Sequence, residues 1–356
     1  MSQRLHRVVQ DDIAEIVADI GEKAADLAGC TVAVTGGFGF LGSYCIDTLA
    51  AINDNGLHPP CRVVCLDNAI VNDDSNLTHL RNRPDIEFIR HDISKPITID
   101  GPVDYIIHAA SIASPLFYQK YPLETIAVNV DGTRNVLELA KAKGSRGVLY
   151  LSTSEVYGDP DPNKVPTPET YHGNVSCVGP RAPYDESKRL GESLCVVYAK
   201  KFGVPVNITR TFNSYGPRLL LSDPRVVSNF FRCALAGETL AVYDATSTRS
   251  YCYVSDNIRA QFLVLLSGLR EEIFNVGNNE EEVTVRELAN AINGLFGGKL
   301  QVAHKTPSDP VYVIDNPKRR CPDVTKIRNM LGWRHAVSMD AGLRRMLEWA
   351  RDQSSA

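Results

Sequence analysis

Tyr184 and Lys188 have the residue types and the spacing of a catalytic base and its activating cation. The apolar pattern predicts a helix over residues 181–202, and positions four apart on a helix share one face. A lysine charge beside a tyrosine lowers the free energy of ionising the phenol, so the tyrosine can take a proton near neutral pH. A tyrosine four residues before a lysine is common by chance, so its weight depends on the motifs that precede it.

A glycine-rich stretch near the N-terminus has the form of a dinucleotide-binding turn. Gly36, Gly39 and Gly42 follow the apolar run 31–34 and open a helical pattern. Glycines let the backbone turn tightly and approach a pyrophosphate, to which the helix N-terminus offers free N–H groups. The next apolar run ends in Asp67, whose carboxylate can accept the adenosine ribose hydroxyls and repel a 2′-phosphate. This order predicts an NAD site rather than an NADP site.

Two later strand ends carry polar or small residues that suit a reaction site. Thr153 and Ser154 can donate hydrogen bonds to a reacting hydroxyl or ketone, and Glu155 offers a carboxylate beside them. Residues 108–111 end the preceding strand with small side chains, which permit close approach of a flat cofactor. Taken alone, Glu155 fits a solvated loop equally well; together with the tyrosine and lysine it is interpreted as functional.

Strands and helices that must position these residues alternate along the chain. Alternation predicts an α/β fold with a Rossmann-type, doubly wound parallel sheet, in which ligands bind at the carboxyl ends of the strands. Beyond residue 213 short strands mix with helices, which predicts a smaller C-terminal substrate lobe over that edge. The predicted strands are 31–35, 61–67, 86–90, 103–109, 146–152, 205–211, 239–243, 250–254 and 272–277, and the main predicted helices are 122–142, 181–202, 225–236, 256–268, 284–296 and 339–354.

The same pattern predicts three regions. Apolar residues recur at helical spacing from Ile13 to Leu27, which indicates an amphipathic helix before the first strand. This helix is expected to pack on the main domain, with a role in dimerisation as the weaker alternative. The predicted regions are a helical extension at 1–28, an NAD-binding domain at 29–212 with a return segment near 241–277, and a substrate lobe made of 213–240 and 278–356.

Composition bounds the class of protein. The chain has 356 residues, 44% of them hydrophobic and 22% charged, with a formal net charge of −4, which is ordinary for a globular enzyme with a large core. The charge balance indicates neither nucleic acid nor membrane as a partner, and no apolar run is long enough to span a bilayer. The nine cysteines show no metal spacing, so no metal site is predicted. They are expected to be buried in a reducing, cytoplasmic compartment.

From residue 30 onward the chain resembles the extended short-chain dehydrogenase/reductases that act on nucleotide sugars. Among these it is most similar to the UDP-glucuronate decarboxylases, also called UDP-xylose synthases. The resemblance implies NAD as cofactor, a UDP-sugar as substrate and a homodimer built from helices 122–142 and 181–202. The segments that carry it are 152–160, 179–189, 212–218, 225–230, 248–251 and 317–323.

The resemblance also implies roles for individual residues. The implied catalytic residues are Thr153, Ser154, Glu155, Tyr184 and Lys188. The implied cofactor-binding residues are Gly36, Gly39, Phe40, Leu41, Gly42, Asp67, Asn68, Asp92, Ile93, Ala109, Ala110, Ser111, Tyr184, Lys188 and Arg225. The implied substrate-binding residues are Ser114, Tyr118, Glu155, Asn213, Arg225, Arg249, Tyr251 and Arg320, with Asn213 and Arg249 on the diphosphate side and Arg320 near the sugar carboxylate.

The implied chemistry explains these residue types. Tyr184, as a phenolate, would take the proton of the sugar C4 hydroxyl while a hydride passes from C4 to NAD. The C4 ketone is then β to the C6 carboxylate, so carbon dioxide can leave, and hydrogen-bond donors can stabilise the resulting enolate. Arg320 could orient the carboxylate by a bidentate contact. The expected product is UDP-xylose, UDP-4-keto-pentose, or both.

Three positions depart from the family pattern. Ser187 stands where the family commonly has glycine, Ala127 where it has lysine, and Ile112 where proline is usual. The missing lysine removes a cation near the cofactor, which could weaken cofactor retention and release part of the 4-keto-pentose.

Three other functions remain open on the sequence. A nucleotide-sugar 4,6-dehydratase needs an acid to protonate the departing C6 hydroxyl, and its pattern has aspartate where this chain has Ser154. A 4-epimerase usually lacks the carboxylate seen at Glu155. A non-catalytic NAD-binding sensor would need neither Tyr184 nor Lys188, and fold alone cannot separate these functions.

Overall fold

The computed structural model describes residues 5–306 and 316–354. Its strands are β1 (Thr31–Thr35), β2 (Arg62–Asp67), β3 (Ile86–Arg90), β4 (Tyr105–His108), β5 (Gly147–Thr153), β6 (Val206–Thr211), β7 (Ser214–Tyr215), β8 (Leu240–Val242), β9 (Thr248–Ser250), β10 (Cys252–Tyr253), β11 (Ile273–Val276), β12 (Glu282–Thr284), β13 (Val302–His304) and β14 (Arg319–Arg320). Its α-helices are α1 (Arg7–Ile20), α2 (Phe40–Asp54), α3 (Pro115–Lys120), α4 (Pro122–Ala127), α5 (Thr133–Lys143), α6 (Ala182–Phe202), α7 (Val226–Leu235), α8 (Val254–Leu265), α9 (Val285–Leu295), α10 (Thr325–Leu331) and α11 (Met339–Ser354).

Seven parallel strands form the central sheet in the order β11-β6-β5-β4-β1-β2-β3. The chain runs outward from β1 to β3 on one side and from β4 to β6 on the other, so the direction of winding reverses between β1 and β4. This is the doubly wound, Rossmann-type sheet that the alternating pattern predicts. In the segment expected to return to the sheet, β11 pairs with β6. The carboxyl ends of all seven strands meet at one edge.

Helices cover both faces of the sheet, which is why its central strands are apolar on both sides. Val32 and Val34 of β1 are buried in a cluster with α1, α2 and α8. The residue between them, Ala33, is buried in a second cluster with α5 and α6. No helix in the described ranges is long and apolar enough to cross a membrane.

Two predicted elements are subdivided in the structure. The predicted helix 122–142 becomes α4 and α5, which are joined by a π-helical turn at Val128–Gly132. The predicted strand 250–254 becomes β9 and β10, because β9 pairs with β12 and β14 in the lobe while β10 pairs with β7. Register places Arg249 of β9 beside Arg320 of β14. The small three-stranded sheet therefore presents two arginines side by side.

Helix α1 packs on the main body of the protein through a buried carboxylate as well as through its apolar face. Asp12 is fully buried and accepts hydrogen bonds from the hydroxyls of Tyr44 (3.0 Å) and Tyr253 (2.9 Å). Arg345 of α11 donates to its other oxygen at 2.8 Å. Burial raises the pKa of Asp12 to about 6, even though all three partners oppose the shift. One side chain thus ties α1 to α2, to β10 and to the C-terminal helix.

We expect Asp12→Ala to destabilise the fold strongly, because it leaves two buried hydroxyls without their acceptor and removes one of the two carboxylates that Arg345 binds. Breaking a buried ion pair from one side typically lowers the free energy of unfolding by ~3–5 kcal/mol. Denaturant titration followed by circular dichroism measures the change. The matched control is Asp11→Ala on the same helix, whose 3.2 Å ion pair with Arg7 is exposed and should contribute less than ~1 kcal/mol. Equal effects of the two variants would contradict the role of Asp12.

Candidate active site

Two adjoining cavities lie over the carboxyl ends of the central strands. The larger, of about 530 Å³, extends from the glycine-rich turn to the arginines of the lobe. The smaller, of about 170 Å³, lies over the end of β2. Both are lined by Gly36, Gly39, Ala109 and Ser111, so they form one continuous depression. An elongated ligand could therefore occupy both at once.

Every residue that the sequence marked for a site lines one of these cavities. The predicted residues in the larger cavity are Gly36, Gly39, Phe40, Leu41, Gly42, Ala109, Ser111, Ser114, Tyr118, Thr153, Ser154, Glu155, Tyr184, Lys188, Asn213, Arg225, Arg249, Tyr251 and Arg320. Those in the smaller cavity are Gly36, Gly39, Asp67, Asn68, Asp92, Ile93, Ala109, Ala110 and Ser111. The individual roles of these residues remain predictions.

Helix α6 carries Tyr184 in its first turn and Lys188 one turn later, both buried. The Tyr184 ring stacks on that of Tyr118, with centroids 5.4 Å apart and planes 9° apart. The Lys188 ammonium donates to the carbonyl of Leu151 at 2.7 Å, and burial lowers its pKa to about 8.

The net shift of the Tyr184 pKa is opposite in direction to the lowering expected from the lysine. Burial raises the pKa of Tyr184, against a hydrogen bond from Thr153. The sequence places phenol and ammonium on one helix face, but the Lys188 ammonium bonds the end of β5. Desolvation of the phenol outweighs the two groups that favour the phenolate, Thr153 and Arg225.

Glu155 lies between two guanidinium groups. Arg181, just before α6, donates to Oε2, and Arg320 of β14 donates to Oε1. Although burial opposes ionisation, these two charges hold the pKa of Glu155 well below its usual range. Arg181 is also 3.5 Å from the carboxylate of Asp185, where burial and the negative charge of Glu155 raise the pKa to about 7. Glu155 therefore stays ionised inside the larger cavity.

A third arginine, Arg249, and the amide of Asn213 also line the larger cavity. Arg249 donates to the side chain of Asn316 at 2.9 Å, and burial together with the charge of Arg320 lowers its pKa to about 10. Asn213, in a left-handed conformation with φ of 34°, donates to the Ser250 carbonyl at 2.9 Å. Such a concentration of positive charge suits an anionic ligand.

The glycine-rich turn has the tight geometry that a dinucleotide pyrophosphate requires. Gly36 has φ of 71°, and a Cβ there would lie 2.5 Å from the Cα of Ala110. Helix α2 begins at Phe40 without a side-chain cap, and its first residues line the larger cavity, where free N–H groups at a helix N-terminus suit an anion. The carboxylate of Asp67 is fixed by the backbone N–H groups of Phe38 (3.0 Å) and Ala69 (2.8 Å). These residues fit a bound dinucleotide whose adenosine ribose carries no 2′-phosphate.

The model of the NAD-dependent epimerase/dehydratase family matches residues 32–277. The chain belongs to this family. It is 41% identical over 320 residues to UDP-glucuronic acid decarboxylase 5 of Arabidopsis thaliana, covering 89% of this chain and 88% of that one. It is 39% identical over 319 residues to UDP-glucuronic acid decarboxylase 1 of Danio rerio, covering 89% and 72%. The family membership predicted from the quoted segments is confirmed.

Solved structures of the family share the fold. A dTDP-glucose 4,6-dehydratase from Streptomyces venezuelae with NAD bound matches with a TM-score of 0.78 at 28% identity, covering 91% of this chain and 98% of that one. A UDP-glucose 4-epimerase from Thermotoga maritima with UDP-glucose gives 0.77 at 26% identity, covering 91% and 99%. The fold is therefore common to family members with different activities.

Sequence reasoning missed two cavity residues of this family member. Arg181 stands four positions before Asp185, a spacing that could have indicated their ion pair. Arg218 has φ of 70° and pairs with the buried Asp47 of α2 at 2.6 Å. The Arg218 pair joins distant segments, and only the fold reveals it.

All three departures from the family pattern lie at or beside the cavities, and Ile112 lines the smaller one. The Ser187 hydroxyl accepts a hydrogen bond from Asn129 at 2.9 Å, and the same amide accepts one from Ser111 at 2.8 Å. This chain therefore ties α6 to the loop that lines both cavities. Ala127 lines the smaller cavity, where its methyl group supplies no charge.

Proposed function

We propose that this protein decarboxylates UDP-glucuronate through a C4-keto intermediate, giving UDP-xylose, UDP-4-keto-pentose, or both. The observation that carries the proposal is the position of Arg320, which lines the same cavity as Tyr184 and Lys188. A guanidinium that already binds a carboxylate in the cavity suits a sugar acid rather than a neutral hexose. The curated relatives named as UDP-glucuronic acid decarboxylases support the same substrate.

We propose NAD as the cofactor, with its pyrophosphate at Gly36 and the start of α2 and its adenosine ribose at Asp67. Bound there, NAD would accept a hydride from C4 of the sugar and could return it after decarboxylation. The small residues Ala109 and Ala110 leave room for a flat ring at the end of β4. Lys188, buried at the inner wall of the cavity, would donate to a ribose hydroxyl.

Tyr184 is the proposed base for the C4 hydroxyl. Its pKa is raised by burial, but the Thr153 hydroxyl and the positive charge of Arg225 both favour the phenolate. Arg225 is itself held by a two-point contact with Asp223 at 2.9 and 3.0 Å. Removal of the C4 hydroxyl proton, together with transfer of the C4 hydride to NAD, would make C4 a ketone and the carboxyl-bearing C5 its α-carbon, and this would activate the carboxylate for loss.

The loss of carbon dioxide needs orientation of the carboxylate and stabilisation of the enolate. Arg320 would hold the carboxylate at the wall formed by β14, and the hydroxyls of Thr153 and Ser154 would donate to the developing oxyanion. Ala127 supplies no cation at the smaller cavity. We therefore propose partial release of the 4-keto-pentose as well as UDP-xylose.

The structure also argues against 4,6-dehydration by this site. A dehydratase must protonate the departing C6 hydroxyl. Ser154 is a poor acid, and Arg181 and Arg320 hold the pKa of Glu155 far too low for it to donate a proton. A carboxylate that stays ionised suits a positioning or electrostatic role.

We propose a homodimer formed by α4 and α6. These helices expose Leu123 (76%), Ile126 (41%), Leu190 (48%) and Val197 (51%), which is unusual for apolar side chains. On α5, Val136 and Leu137 are buried in the core of their own subunit and are excluded from this interface.

We also infer a reducing, cytoplasmic environment from the cysteines. All nine lie within the described residues and are unpaired, and eight of them are buried. Buried thiols that persist without forming disulfides are typical of cytosolic proteins.

Incubation with UDP-glucuronate and NAD, followed by mass spectrometry and NMR, tests the proposed reaction. We expect loss of carbon dioxide from the substrate, with both UDP-xylose and a 4-keto-pentose in the spectrum. Tyr184→Phe should lower the turnover ~100- to 10,000-fold, since a general base is lost. The control Tyr198→Phe changes the same helix at a hydroxyl that bonds Glu138 outside the cavities, and it should retain nearly full turnover.

Three results would count against this function. Unchanged UDP-glucuronate together with loss of water from a neutral nucleotide hexose would identify a 4,6-dehydratase. A product of unchanged mass with an inverted C4 would identify an epimerase. Near-normal turnover by Tyr184→Phe would remove Tyr184 from the mechanism.

Asp67→Ser is expected to relax the preference for NAD over NADP. The carboxylate that would repel a 2′-phosphate is lost, so we predict that the ratio of the two affinities falls ~10- to 100-fold, the effect of ~1–3 kcal/mol. Titration of cofactor-stripped protein with each dinucleotide measures it. Asp73→Asn, at an exposed acid that caps a nearby turn, is the control and should leave the ratio unchanged. A wild-type protein that prefers NADP would contradict the assignment of NAD as the cofactor.

The dimer is tested by Leu190→Glu/Val197→Glu. Two carboxylates on the exposed face of α6 should be incompatible with a buried, self-complementary interface, so sedimentation at micromolar concentration should show a monomer. Met330→Glu places a charge at a comparably exposed apolar residue (44%) on α10 and should remain dimeric. A monomeric wild-type protein would refute the proposal.

A further inference from the structure

The contacts of Glu155 raise a question about how a second carboxylate can enter the cavity. In the structure Arg320 bonds Oε1 of Glu155, yet the proposed substrate also needs Arg320 for its own carboxylate. If Arg320 turned to the substrate and nothing else held Glu155, two unpaired anions would face each other in a buried site. Such an arrangement is strongly unfavourable.

Arg181 is placed to prevent this. It bonds the other oxygen of Glu155, Oε2, so each oxygen of the carboxylate has its own guanidinium. We propose that Arg181 retains Glu155 while Arg320 is transferred to the sugar carboxylate, so that the two arginines serve two carboxylates. This inference rests on the function proposed above and assigns Arg181 as a positioning residue that determines specificity for an acidic sugar.

The surroundings of the two arginines make Arg181 the fixed partner. Its carbonyl accepts the backbone N–H groups of Tyr184 and Asp185, both at 3.0 Å, so its backbone belongs to the first turn of α6. Its side chain lies between Glu155 and Asp185, with Nε 3.5 Å from the second carboxylate. The Nε of Arg181, like that of Arg320, has no hydrogen-bond partner among the described residues, so what distinguishes Arg181 is its backbone position in the first turn of α6 and the nearby carboxyl of Asp185.

Arg320 has the features of the exchangeable partner. Its side chain is only 4% exposed, and Nε has no hydrogen-bond partner among the described residues. Apart from Glu155, it donates only a long bond of 3.3 Å to the carbonyl of Gly158 within the described part of the chain. A buried N–H without an acceptor is unfavourable. A substrate carboxylate that took the guanidinium from Glu155 could accept a hydrogen bond from this Nε as well.

Glu155 has a cationic partner both in the free cavity and with a sugar carboxylate bound. The groups that interact electrostatically with Glu155 are Arg181, Arg320, Arg249, Asp185, Tyr184 and Tyr118. Burial favours the neutral form of Asp185, which leaves the charge of Arg181 available to Glu155. A neutral hexose would leave the Glu155–Arg320 pair intact and would not engage the unpartnered Nε. The arrangement therefore favours a substrate that brings its own carboxylate.

Binding measurements in a Tyr184→Phe background, which prevents turnover, test the inference. Calorimetry in saturating NAD gives the Kd for UDP-glucuronate and for UDP-xylose, which lacks the carboxylate. Adding Arg181→Gln should raise the Kd for UDP-glucuronate ~10- to 100-fold and that for UDP-xylose less than ~3-fold. Glu155 depends on Arg181 only when Arg320 binds the sugar carboxylate, and UDP-xylose has no such carboxylate.

A double-mutant cycle separates this role from a structural one. With Glu155→Gln also present, there is no anion for Arg181 to hold, so Arg181→Gln should change the Kd for UDP-glucuronate less than ~3-fold. Arg181→Lys retains the charge and should recover most of the affinity for UDP-glucuronate. If Arg181→Gln does not fold, Arg181→Lys takes its place, and it should weaken the binding of UDP-glucuronate to a smaller extent without weakening that of UDP-xylose. Arg189→Gln is the control, because Arg189 bonds the carbonyls of Val156 and His172 outside the cavities.

Equal weakening of both ligands by Arg181→Gln, or an undiminished effect in the Glu155→Gln background, would overturn the inference. If the wild-type protein nevertheless releases carbon dioxide, the proposed function stands without it. If the wild-type protein releases none and Tyr184→Phe binds UDP-glucuronate no better than UDP-glucose, both proposals fail.

Discussion

An ionised carboxylate can be buried only if cations are buried with it, and this constraint shapes the active site. Glu155 follows the end of β5, and its two cations come from different parts of the chain, Arg181 from the start of α6 and Arg320 from β14 of the lobe. The ion pairs therefore hold the nucleotide-binding sheet and the lobe together across the cavity. Chemistry and architecture depend on the same contacts.

The same constraint recurs at the N-terminal helix. Asp12 is buried with Arg345 and two tyrosine hydroxyls, which come from α2, β10 and α11. At Asp12 burial raises the pKa of the carboxyl, whereas at Glu155 the charges of two guanidinium groups lower it. The number of cations at each carboxylate explains the opposite directions.

Tyr184 shows how burial modifies a motif. Its position one turn before Lys188 is a property of the helix, but both side chains are desolvated, which raises the pKa of the phenol and lowers that of the ammonium. Thr153 and Arg225, from two other elements, are what favour the phenolate. The electrostatic surroundings of Tyr184 are therefore produced by the assembled cavity as well as by its own helix.

Local pattern determined much of this protein. Apolar runs and glycines predicted the strands from β1 to β6, the parallel sheet and the turn at Gly36, because period and backbone freedom are properties of short segments. They also placed Glu155 at the carboxyl edge of the sheet, since it follows a parallel strand, whereas Arg320 entered the predicted site only through the resemblance to the family. Tertiary structure alone decided which charges meet. Arg320 lies 165 positions from Glu155, and only the register of β14 on β9 brings it there; no local pattern encodes that pairing, because it depends on how two distant segments pack.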